Sequence, residues 1–252
     1  GGLMYITTPL FFNYSIMGWF FVLFSMGLLP FAVKYFIRAV KEKNLVFAVI
    51  AGMIYAISVI QSQSVIWFMI IFLILGLYLI KDKKSALCYL KHLGIIIALF
   101  LLLNSYWIFD VLFSPSSTVS SSDIVESPES LGTVRHFYPV NIIRLFGSLF
   151  NYQYETVLGN HGLTILSFLL PALALCSLLF IKEKRRLILS FWIIGLVPMF
   201  MYLLNFYRGI LIHIPFANVI RDFARFTVLS SFAYPILAAL FIGYLLYNSN
   251  KF

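Results

Sequence analysis

Charge is scarce in this 252-residue sequence: Asp, Glu, Lys and Arg together make up 11% of it, against about 25% in ordinary soluble domains. So few charges cannot coat a water-exposed surface of the usual kind. Cysteine is scarcer still. Cys88 and Cys176 are the only two, and the threading derived below puts both near the cytoplasmic face, where disulfides are rare, so both read as structural. No Gly-rich nucleotide loop is present, which leaves ATP-driven transport without support. No Ser/His/Asp or HExxH signature appears. No apolar span carries a charge at its centre, which argues against a proton relay or a voltage sensor. There is no internal repeat at a fixed period, and no basic segment followed by a cleavage site, so no signal peptide is expected.

What fills the sequence is grease. Apolar residues make up 62% and aromatics 18%, with 27 Phe, and the mean hydropathy is +0.98. The solvent for so much apolar surface is lipid. A run of about 20 apolar residues spans the hydrocarbon core as a helix. Seven candidates follow along the chain, at 10–35, 45–60, 65–80, 93–112, 163–181, 187–204 and 226–247. The second and third are parted only by Gln61-Ser62-Gln63-Ser64 and form a tight helical hairpin. Pro30, Pro171, Pro198 and Pro235 fall inside spans, as membrane helices permit. The expected fold is all-α: one polytopic transmembrane bundle over 1–252, with short interfacial helices in its external loops. An odd number of spans and an external start suggest a piece of a longer chain.

The cations set the threading. Lys34, Arg38, Lys41 and Lys43, then Lys81, Lys83, Lys84 and Lys91, then Lys182, Lys184, Arg185 and Arg186, and last Lys251, fall in alternate loops. The other loops hold only Arg135, Arg144, Arg208, Arg221 and Arg225. By the positive-inside rule the first set is cytoplasmic. The localisation expected is therefore the cell membrane, multi-pass, with loops 113–162 and 205–225 outside. The net charge of +9 is topology information of this kind and does not call for nucleic acid as a partner.

Every Lys lies inside and every external cation is Arg. That asymmetry directs attention to the external loops. Residues 140–150, if helical, put Ile142, Leu145, Phe146 and Leu149 on one face, as in a helix lying in the membrane interface. In loop 205–225, Arg221 and Arg225 are four apart and share a helix face, with Asp222 placed to orient Arg225. Paired guanidiniums at a membrane boundary suit a phosphate or pyrophosphate, because the planar fork matches paired oxygens. A lipid-phosphate substrate site and an anchor to ordinary lipid phosphates are both open readings. Arg144 can join such a site or snorkel to head groups, and His213 precedes it. Asp110, at the outer end of the fourth span, can serve as general base for an acceptor hydroxyl, hold a divalent cation, or mark where the helix leaves the lipid. Asp123, Glu126 and Glu129, spaced by three, could form a loose metal-binding acidic face, but beside a Ser-rich stretch they read as a solvated loop. His136, His161 and His213 have no ligand partner at close spacing, so no metal site is expected from them.

Three segments carry a resemblance. Ile214-Pro215-Phe216 followed by Arg221-Asp222-Phe223-Ala224-Arg225-Phe226, running straight into an apolar helix, resembles a late segment of GT-C-type polytopic glycosyltransferases, the arabinofuranosyltransferase-like and YfhO-like membrane proteins. Asn104-Ser105-Tyr106-Trp107-Ile108-Phe109 and Pro139-Val140-Asn141-Ile142-Ile143-Arg144-Leu145-Phe146-Gly147 are similar to two more of their segments. Phe223 stands where that family usually has Pro, and Asp110 where its aromatic segment ends in Pro. The resemblance implies transfer of a sugar from a polyprenyl-phosphate donor on the external face, in cell-envelope glycan assembly. It also implies a catalytic acid upstream of this piece. Expected partners are membrane lipid and a lipid-linked sugar donor. A lipid-linked glycan flippase is the alternative from another class, hinted at by Asn104, Ser58 and Gln61. A non-catalytic membrane subunit is the third reading.

Overall fold

The structure is a computed structural model that describes residues 20–59, 62–113, 168–206 and 226–249. The described residues are all-α, in seven helices: α1 (Phe20–Glu42), α2 (Leu45–Ser58), α3 (Ser62–Leu79), α4 (Lys83–Phe113), α5 (Leu169–Phe180), α6 (Arg185–Phe206) and α7 (Thr227–Ser249). Three stretches are long and apolar enough to cross a membrane, Val22–Glu42, Lys83–Tyr106 and Thr227–Asn248, while Leu45–Ser58, Ser64–Leu79 and Leu169–Phe180 are shorter apolar helices. Helices α1–α4 belong to one compact unit and α5–α7 to a second.

In the first unit the core follows the helical period. On α1, Val22, Met26, Leu29, Val33, Phe36 and Val40 are buried at spacings of three and four. On α4 the same spacing buries Tyr89, His92, Ile96, Phe100 and Asn104. The opposite faces are apolar too: Phe31, Leu87 and Leu102 are exposed, the last two to 72% and 70%. A water-soluble helix would put charge there. Aromatic rings tie the four helices together. Phe36 packs on Phe72 with ring centres 4.8 Å apart, and Tyr55 lies 4.9 Å from Phe100 and 5.0 Å from Phe68. Small residues let α2 and α4 approach: a Cβ on Gly52 would stand 2.8 Å from a terminal carbon of Leu99 and 3.3 Å from the Cα of Ile96.

Helix ends sit further into the basic segments than hydropathy alone suggests. The expected fourth span begins at residue 93, whereas α4 begins at Lys83. The cause is a reciprocal cap. The Ser85 amide donates to Asp82 Oδ1 at 2.7 Å, and the Lys81 and Asp82 amides donate to Ser85 Oγ at 2.8 and 2.9 Å. Those bonds satisfy orphan amides that would otherwise let the first turns fray. Likewise α1 continues past Tyr35 to Glu42, helped by Arg38 pairing with Glu42 one turn on at 2.8 Å. It then stops in a C-terminal turn. Lys43 adopts the left-handed backbone conformation (φ 53°), and the Asn44 amide reaches back to the Ala39 carbonyl at 3.1 Å. Asn44 at once caps α2 through Oδ1, which accepts from the Val46 amide at 2.9 Å.

In the second unit α7 is the central element. From Phe226 to Tyr234 nearly every side chain is buried, Thr227, Ser230 and Ser231 among them. Phe180 of α5 meets Phe241 of α7 with ring centres 5.8 Å apart, and Phe191 and Trp192 of α6 meet Phe232 and Tyr234 at 5.9 and 5.7 Å. Pro198 in α6 and Pro235 in α7 stand within helices.

Candidate functional site

Of the site residues the sequence singles out, Arg144, His213, Arg221, Asp222 and Arg225 lie outside the described residues, as do most of segment 113–162, with Asp123, Glu126 and Glu129, and residues 207–225 of segment 205–225. Asp110 belongs to α4, three residues before its end at Phe113. The geometry on hand is that of the helices to which those residues connect.

Helix α7 opens at Thr227, directly after the Arg225-Phe226 pair. Its first two turns carry Thr227, Ser230 and Ser231, all buried. The Ser230 hydroxyl donates to the Gly195 carbonyl of α6 at 2.6 Å. The two helices pack tightly at Gly195: a Cβ there would lie 2.7 Å from a ring carbon of Tyr234. Ser231 Oγ is buried with no hydrogen-bond partner among the described residues. A helix N-terminus presents free amides and a partial positive charge. In the sequence Arg221 and Arg225 stand six and two residues before the N-terminus of α7.

In the first unit the polar groups within the helices are mostly spent on backbone carbonyls. Asn104 donates through Nδ2 to the Ala56 and Phe100 carbonyls, both at 3.2 Å. The Ser58 hydroxyl donates to the Tyr55 carbonyl at 2.8 Å, and the Ser58 carbonyl accepts from Ser25 Oγ. Tyr89 donates to the Phe72 carbonyl. Asn104 and Ser58, two of the three residues that hint at a translocation path, are thus committed to holding helices together. Gln61 lies outside the described residues.

His92 is a buried group that reading the sequence passed over. Its Nδ1 lies 2.6 Å from the Cys88 carbonyl and 3.6 Å from Cys88 Sγ. A carbonyl only accepts, so Nδ1 carries the proton and, in the neutral ring, Nε2 does not. Nε2 is buried and makes no hydrogen bond among the described residues. The signal was there: His92 stands one helical turn after Cys88. Two donors do not hold a metal ion, and among the described residues no group of three or more His, Cys, Asp or Glu is placed to do so.

At the start of α4, Asp82 is fully exposed, and the Ser85 amide, donating to its carboxylate, holds its pKa below the ordinary value, with the nearby Lys43 ammonium adding to the effect. The Lys41 ammonium donates to the Tyr78 hydroxyl at 2.6 Å, and Cys88 Sγ faces the Val40 carbonyl at 3.8 Å. These contacts gather the end of α1, the end of α3 and the start of α4 into one basic cluster.

No family model matches this sequence, and no curated protein or solved structure matches it either.

Proposed function

We propose that this chain is the membrane-embedded part of a GT-C-like glycosyltransferase. It would carry about seven spans, cytoplasmic lysine-rich ends and an external site for the phosphate of a polyprenyl-phosphate sugar donor. The observation that carries the reading is the join at residue 226. The Arg221-Asp222-x-x-Arg225-Phe226 motif is followed directly in the sequence by α7, whose first two turns carry the buried Thr227, Ser230 and Ser231. Seven helices lie where seven apolar runs are expected, and their outward faces are apolar, which supports a lipid setting.

In this reading Arg221 and Arg225 bind the donor's phosphate and stabilise the charge that builds on it as the sugar leaves. Asp222 orients Arg225. Arg144 and His213 complete the polar lining, and Asp110 sits at the membrane edge as an auxiliary base. The residue that activates the acceptor lies outside this chain. The test is transfer from a polyprenyl-phosphate sugar by the full-length protein in membranes, with Arg221→Ala and Arg225→Ala compared. Each variant is expected to insert at wild-type levels and to lose transfer. Wild-type transfer by the double variant would rule the role out.

A further inference from the structure

The basic end of the first unit has a property that membrane threading alone does not require. Segments 34–43 and 81–84 together hold seven cations and two carboxylates. Both carboxylates are already engaged: Glu42 by Arg38, and Asp82 by the Ser85 amide. Lys43, Lys81, Lys83 and Lys84 are exposed and lie outside those two hydrogen-bonded pairs, Lys43 close enough to Asp82 to add to the field on its carboxylate. Lys43 also occupies a left-handed position (φ 53°) where glycine would be less strained. A strained position held by a cation points to a use for the charge. The contacts Lys41–Tyr78 (2.6 Å) and Cys88–Val40 (3.8 Å) fix the two basic segments side by side.

The apolar neighbours decide what the charge is for. Leu87 and Leu90 are exposed about one and two turns beyond Lys83 and Lys84, Leu77 and Ile80 lie within four residues before Lys81, and Val46 comes three residues after Lys43. A nucleic acid or a free anion would meet the ammonium groups and leave this grease bare. A phospholipid fills both requirements, with phosphate on the lysines and acyl chain along the leucines. We propose that Lys43, Lys81, Lys83 and Lys84 form a binding site for the headgroup phosphate of anionic phospholipids. The inference rests on the membrane setting proposed above and is independent of the sugar-transfer role.

The test uses the whole chain in nanodiscs of phosphatidylcholine alone or with phosphatidylglycerol added, and measures which lipids stay bound after detergent extraction. Wild-type protein is expected to retain phosphatidylglycerol selectively, about fivefold less for each lysine replaced by Gln, with retention falling as salt rises. Lysine-to-arginine variants keep it, which separates loss of charge from loss of fold. Equal phosphatidylglycerol retention by wild type and by the Lys43/Lys81/Lys83/Lys84→Gln variant overturns the site. So does displacement of the lipid by millimolar inorganic phosphate, which would mark a site for the free anion. A chain that fails to enter the nanodiscs overturns the membrane reading as well, whereas insertion without lipid preference overturns this inference alone.

Discussion

The side-chain amide of Asn104 donates to the carbonyl of Ala56 across 48 residues of sequence, at 3.2 Å, and so joins α4 to α2. It is the kind of bond that a bundle in lipid relies on, because burying apolar side chains gives helices little reason to prefer each other over the acyl chains. Replacing Asn104 with Leu should cost about 0.5–1.5 kcal/mol of helix association. Steric-trap or detergent unfolding of the two proteins measures it. An unchanged or raised stability would mean that the bond is not a tie between helices.

Gly195 of α6 lies tight against Tyr234 of α7, with 2.7 Å to the ring from a Cβ at position 195. Gly195→Ala should push the ring away and disturb the neighbouring bond from Ser230 to the Gly195 carbonyl. The expected loss is about 1–3 kcal/mol by overpacking. Tyr234→Leu in the same background should restore part of it, read in the same unfolding assay.

Lys43→Gly should stabilise the α1–α2 turn by about 1 kcal/mol, because glycine takes φ 53° without the Cβ clash. Lys43→Ala should not. The same Gly variant loses a cation from the basic rim, so higher stability should accompany weaker retention of anionic lipid. A variant that gains neither stability nor a changed lipid profile would contradict both roles.

Asp82 supplies a pH dependence with a definite sign. Its folded pKa lies below the ordinary value because the carboxylate accepts from the Ser85 amide. Its contribution to the α4 cap is therefore complete above the unfolded value of about 3.9. It is lost as pH falls through the lower, folded value. Carbon-13 titration of the Asp82 carboxyl should show a midpoint below that of an unstructured Asp, and Asp82→Asn should abolish the acid-linked fraying of the first turn. A midpoint at or above the ordinary value would contradict the cap.

Much of the helix plan is legible in hydropathy because lipid demands long apolar runs: 45–60 and 187–204 differ from α2 and α6 by two residues or fewer at each end. The ends at 35 and 93 were not, for a reason of local chemistry. Hydropathy stops at the first lysine, but a helix stops where its amides and carbonyls stop finding partners. The Asp82-x-x-Ser85 spacing and the Arg38–Glu42 pair, both present in the sequence, carry that information. His92 was missed because neither cysteine was credited with a His at ligand spacing, when His92 stands four residues after Cys88 and shares its helix face. The arginine motif is legible only as a pattern of residue types, since the positions of Arg221 and Arg225 depend on residues 207–225, outside the described helices.

The central claim is that the apolar helices thread a membrane with the lysine clusters on one side and the 113–162 loop on the other. Replacing Cys88 and Cys176 by Ala, then introducing Ser117→Cys or Lys184→Cys singly, allows labelling of intact cells with a membrane-impermeant maleimide. The Ser117→Cys protein should label at once, and the Lys184→Cys protein only after the membrane is opened. Labelling of the Lys184→Cys protein in intact cells, with the Ser117→Cys protein protected, would contradict the threading and the external phosphate site with it.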